Sequence, residues 1–160
     1  IYTRALHDAL PICTDEKELI EGFNKLCYQN QWTKIYCEEE KWKQIIPPNS
    51  SHNDIVTCEA SITSCEFLVA RTGSIVLSSA QQGRIPSVYA PVHVCVASTS
   101  QLVYDIKDGL NGLKEKYQQN LPSLTTFATG PSRTADIEKT LVVGVHGPKE
   151  VYCFVFDDQQ

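Results

Sequence analysis

The run Val92-His-Val-Cys-Val96, followed by Ser100 and then by Val103, Ile106, Leu110, Leu113 and Tyr117, sets the fold class. Its first five residues are β-branched or apolar apart from one histidine, and they predict a buried strand. The later residues recur at helical spacing and predict an amphipathic helix, with Ser100 as its cap. Gly109 and Gly112 weaken that helix by about 1 kcal/mol each relative to alanine. A buried strand leading into an amphipathic helix is the building unit of an α/β protein.

The pattern continues in both directions. Leu19, Phe23, Leu26 and Cys27 have helical spacing and predict a helix over 15–30, with Thr14 or Asp15 as its cap. Ile35-Tyr-Cys37 reads as a short strand, and 38–46 as a second helix stopped by Pro47-Pro48. A polar loop runs to Asn53, and Ile55-Val-Thr-Cys58 reads as a strand. Phe67-Leu-Val-Ala70 and Ile75-Val-Leu77 flank Arg71-Thr-Gly73, the signature of a hairpin. The segment 81–90 reads as a loop. Further strands are expected over 124–128 and 151–156, with a short helix over 134–140. Alternating strands and helices with one inserted hairpin predict α/β layers around a mostly parallel sheet.

The bulk properties narrow the classes. The chain has 160 residues, 42% hydrophobic and 21% charged, as expected for one domain with a real core. Its net charge is −5 and it has no basic patch, which argues against a nucleic-acid partner. No apolar run approaches the ~20 residues of a membrane span, and no basic start precedes a long apolar core. The seven cysteines contain no Cys-x-x-Cys pair, so clustered thiolate ligands for iron and sulfur are unsupported. Reduced thiols and a cytoplasmic location are expected. There is no lysine-bearing phosphate loop and no Gly-x-Gly-x-x-Gly run. Residues 1–12, Ile1 to Ile12, read as the translation of a sequencing adaptor; an N-terminally truncated single domain over 13–160 is expected.

Three blocks carry a resemblance: Phe67-Leu-Val-Ala-Arg-Thr-Gly-Ser-Ile-Val-Leu77, Pro91-Val-His-Val94, and Gly130-Pro-Ser-Arg-Thr-Ala-Asp-Ile-Glu138 with Gly144-Val-His-Gly-Pro148. In this order the chain resembles the lactate-utilization (LUD) domain family, of the LutC type, most strongly over 54–157. The resemblance implies the α/β fold of sugar-phosphate isomerases and coenzyme A transferases. It also implies an accessory role in L-lactate oxidation to pyruvate. The iron–sulfur clusters are then expected in partner proteins, with no cofactor in this chain.

The residues themselves suggest a site. Gly130, Pro131, Ser132, Arg133 and Thr134 follow a strand and precede the expected helix, whose free N–H groups would favour an anion. Arg133 can grip a carboxylate or phosphate. Equally, Gly130-Pro131 can simply turn the chain, Ser132 or Thr134 can cap the helix, and Arg133 can pair with Asp136. Asp136 and Glu138 would diverge on a helix, so a joint acid/base role is disfavoured. Gly147 permits close backbone approach beside His146. Thr72, Gly73 and Ser74 form either a second polar lip or only the hairpin turn. His93 is a core histidine or a general acid/base, and His146 and Glu138 are the other catalytic candidates. No stable metal site is expected. Trp32 and Trp42 read as cover for the core. The leading expectation is an accessory subunit with a small anionic ligand. The alternative is a stand-alone enzyme for a phosphorylated or coenzyme A-linked metabolite.

Overall fold

A computed structural model describes residues 12–13, 15–80, 84–137 and 140–158. Most of the adaptor-like stretch therefore lies outside the described residues, as do Thr14 and Glu138. The parallel sheet expected from the sequence is present. Its six strands run in the order β1 (Ile12–Cys13), β12 (Glu150–Phe156), β7 (Val92–Ser98), β4 (Ala60–Thr63), β2 (Ile35–Cys37) and β3 (Ser51–His52). Every pairing in it is parallel.

Every residue of β7 is buried, because both faces of that strand are covered. Val92, Val94 and Val96 point to one side and pack with Leu19, Phe23 and Cys27 of α1 (Glu16–Asn30) and with Trp42 of α2 (Glu40–Lys43). Trp32 also packs on this cluster. Asp15 caps α1 by accepting the Glu18 N–H at 2.8 Å. Cys95 and Ala97 point to the other side, with Cys153 and Val155 of β12. There they meet Leu68, Ile75 and Leu77 from a second sheet. All seven cysteines are buried.

The second sheet orders β8 (Leu102–Val103), β5 (Phe67–Val69), β6 (Ser74–Ser78) and β9 (Thr125–Ala128). The expected hairpin is its centre, with β5 and β6 antiparallel. Gly73 turns it at φ 62°, a conformation that disfavours residues with a Cβ. The helix α4 (Ile106–Tyr117) covers the outer face through Leu113, which packs with Val69 and Val76. The layers are thus helix, parallel sheet, mostly antiparallel sheet, helix. Among the described residues no helix is long and apolar enough to cross a membrane.

Five local expectations need correction. Residues 55–58 form a turn, because the Asp54 carboxylate accepts the Val56 N–H at 3.0 Å and the Thr57 hydroxyl at 2.8 Å; the strand is β4 instead. The second helix shrinks to α2. Ser100 does not cap α4. Asp105 does, accepting the Ile106 N–H at 2.6 Å, while Ser100 lies in a 3-10 turn and Val103 lies in β8. Within 81–90, residues Arg84–Tyr89 form a short helix, α3. Pro86 sits in its first turn, where a missing N–H costs nothing; residues 81–83 lie outside the described residues. Finally, the described residues of 134–140 are strand, not helix. Arg133–Ile137 is strand β10, paired antiparallel with β11 (Thr140–Val143).

Candidate functional site

The hairpin β10–β11 removes the helix N-terminus on which the anion argument stood. It also changes the setting of Asp136, which lies within β10 rather than on a first helical turn. Thr134 pairs with Val142 in the ladder. The loop 130–132 does follow a strand end, but that strand is β9, in the mostly antiparallel sheet. The loop meets the amino ends of the parallel strands, not their carboxyl ends. The Ser132 N–H donates to the Pro148 carbonyl at 2.9 Å, and Pro148 stands just before β12. The Lys149 N–H donates to the Pro91 carbonyl at 2.7 Å, which brings in the start of β7.

Backbone geometry holds these loops together. The Gly144 N–H donates to the Ser132 carbonyl at 3.0 Å. Gly130 and Gly144 have φ of 90° and 80°. Gly147 packs on Ser132 so closely that a Cβ there would lie 3.1 Å from the serine Cβ. Pro131 and Ser132 are half-buried, while Arg133 and His146 are exposed. The guanidinium of Arg133 is thus available to a ligand.

The Thr72–Ser74 lip joins the same place. The Ser74 hydroxyl is 2.7 Å from that of Thr72 and 2.7 Å from that of Thr129. Thr72, Gly73 and Ser74 therefore make the hairpin turn and also reach, through Thr129, the 130–132 loop. Thr129, which was not among the candidate residues, joins this cluster; its signal was its place between a strand end and Gly130.

His93 lies at the amino end of β7, opposite Ser61 of β4 and Val151 of β12. It is 1% exposed, and Nε2 is 2.8 Å from the Thr63 hydroxyl. Burial pushes its pKa down to about 4, so it is neutral at physiological pH. This is the core-histidine alternative, and direct contact with a ligand is blocked in this state. Glu138 lies outside the described residues. Among the described residues, no three His, Cys, Asp or Glu side chains are arranged to hold a metal ion.

At the carboxyl ends of the parallel strands the polar groups are tied to one another. Asp158 accepts the Ser100 N–H at 3.2 Å and the Ser100 hydroxyl at 2.5 Å, and Thr99 donates to it at 3.1 Å. Those bonds, the Ser100 hydroxyl first, hold its pKa down at about 2. Glu66, just after β4, is buried and accepts from Lys116 at 2.8 Å, from Tyr117 at 2.7 Å and from Ser78. Burial alone would raise its pKa, but these donors together hold it below the usual carboxylate range.

Comparison with known proteins bears on the same blocks. Residues 15–156 match the LUD domain. The chain belongs to the LUD domain family. This LUD domain is 33% identical to Lactate utilization protein C of Deinococcus radiodurans over 110 residues, 68% of this chain and 51% of that protein. It is 31% identical to Lactate utilization protein C of Geobacillus sp. (strain WCH70) over 162 residues, 96% of this chain and 65% of that protein. With other curated relatives the matched share of their length falls to 40%, so the chain spans about half the length of the proteins it matches. A crystal structure of a DUF162 family protein from Deinococcus radiodurans shares the fold, with a TM-score of 0.65 at 19% identity, covering 94% of this LUD domain and 90% of that chain.

Proposed function

We propose that this LUD domain serves in lactate utilization, as the accessory subunit of a cytoplasmic system that oxidises L-lactate to pyruvate. The oxidation removes two electrons and two protons, one proton from the hydroxyl-bearing carbon and one from its hydroxyl. In this reading the electrons pass to iron–sulfur partner proteins, and this chain contributes an oxyanion site at the 130–134 segment. Membership of the LUD family and relatives named Lactate utilization protein C support the role.

The observation that carries the site is the meeting of Thr72–Ser74, Thr129–Ser132 and Gly144–Pro148 at the start of β7 and β12. Arg133 and Lys149 are exposed cations of these segments, and the planar fork of Arg133 suits a carboxylate or phosphate. His146 is the exposed imidazole of the same loops. The Ser132 and Gly144 N–H groups are already used by backbone carbonyls, so the grip falls to side chains.

Affinity capture of the protein from lactate-grown cells of its source tests the role. Iron-containing proteins are expected in the eluate, with none bound to the purified chain. Tight stoichiometric iron in the purified chain contradicts the division of labour. Arg133→Ala is expected to weaken binding of a small anion without loss of folding; unchanged affinity would remove Arg133 from the site.

A further inference from the structure

We propose that Thr129 is the ligand-facing end of a relay of three hydroxyls, Thr72–Ser74–Thr129, and supplies a hydrogen-bond donor to an oxyanion held at the 130–134 segment. The proposal rests on the oxyanion-site reading and adds to it the residue that orients the ligand.

Proton counting gives the argument. Three hydroxyls carry three protons, and two contacts of 2.7 Å consume two of them. Ser74 is the central member and is 3% exposed, so its proton goes to one neighbour. The remaining proton lies at one end of the relay. Thr72 is half-buried and Thr129 is exposed. Beside Thr129, the Gly130 Cα faces open space, with nothing within 4 Å of where a Cβ would stand. A ligand atom therefore has room at the Thr129 end.

An anion there selects one polarity: Thr72 donates to Ser74, Ser74 to Thr129, and Thr129 to the anion. Aligned hydroxyl dipoles strengthen one another, so the terminal donor is better than an isolated threonine. It is also better placed, because Ser74 fixes the Thr129 rotamer before the ligand arrives. The hydroxyl relay recognises an oxyanion, whether carboxylate or phosphate, and separate titrations distinguish them.

The test is a set of binding titrations of the full chain with L-lactate, pyruvate and inorganic phosphate, each alone, followed by calorimetry and by amide chemical shifts. At least one probe is expected to saturate the wild-type protein and to shift the amides of Thr129 and Gly130. Thr129→Ala should weaken that probe by about 10-fold, and Thr129→Ser should restore it. Ser74→Ala should fall between, since it leaves the Thr129 hydroxyl but frees its rotamer. Because Thr129 is exposed, its variants should melt like wild type. Wild-type affinity in Thr129→Ala, with loss in Arg133→Ala, overturns the relay and leaves the oxyanion site standing. Failure of all three probes to bind the wild-type protein overturns both.

Discussion

Ser132 and Pro148 are joined by a 2.9 Å hydrogen bond from the serine N–H to the proline carbonyl, with Gly147 packed against the serine Cβ. The bond fastens a loop that leaves the outer sheet to a loop that enters the parallel sheet. Each loop turns through positive φ at a glycine, Gly130 in one and Gly144 in the other, and Gly147 lets the two backbones approach closely. The site's shape is therefore set by backbone more than by long side chains.

Gly144→Ala tests that dependence. Gly144 has φ 80°, and an added Cβ would stand 2.3 Å from the Lys149 Cγ. The lysine can swing away, so the lasting cost is the left-handed backbone, about 1–2 kcal/mol. Chemical denaturation should show that loss in the midpoint with an unchanged slope. Wild-type stability in this variant would mean the loop does not hold the conformation described.

His93 sets an acid limit on stability. Its folded pKa is about 4, pushed down by burial, against about 6.5 in an unfolded chain. Between those values the unfolded state binds a proton that the folded state refuses. Stability from this group is intact above pH 6.5 and falls as the pH drops toward 4, by about 2 kcal/mol between pH 7.5 and 5. Urea melts of His93→Gln at those two pH values should show a smaller drop than wild type. Equal drops in the two proteins would show that the histidine is not buried neutral.

The Glu66 cluster fastens α4 to the outer sheet, and Tyr117→Phe probes it. The variant keeps the ring and removes one donor to a buried carboxylate, which should cost about 1.5 kcal/mol. Glu66 titrates below its ordinary range when folded, so its contribution is present above the unfolded value and is lost as the pH falls through the folded one. The stability gap between variant and wild type should therefore narrow in acid. A constant gap from pH 7 to pH 3 would assign the loss to packing instead.

The sequence carried the parallel sheet because burial on both faces leaves a continuous apolar run, as over 92–96, and α1 because its stripe and cap agree. It misplaced segments where local chemistry competes with pattern. Ile55 and Val56 look strand-like, yet the Asp54 carboxylate draws the backbone into a turn. Over 134–140 the acidic residues suggested a helix start, whereas the following Leu141, Val142 and Val143 lie in a strand that pairs back on β10. Periodicity within one segment cannot reveal such a partner. Of the candidate residues, 72–74 and the 130–132 loop are brought together through Thr129, but at the amino ends of β7 and β12. The contact between Ser74 and Thr129 spans the two sheet segments and leaves no trace in local spacing.

The most direct test of the account is reconstitution. Extract from source cells lacking this protein should have lost L-lactate-dependent dye reduction and pyruvate formation. Adding the purified full-length protein should restore both, while Arg133→Ala should restore them poorly at limiting L-lactate. Undiminished lactate oxidation in the deficient extract would contradict a role for this chain in that system.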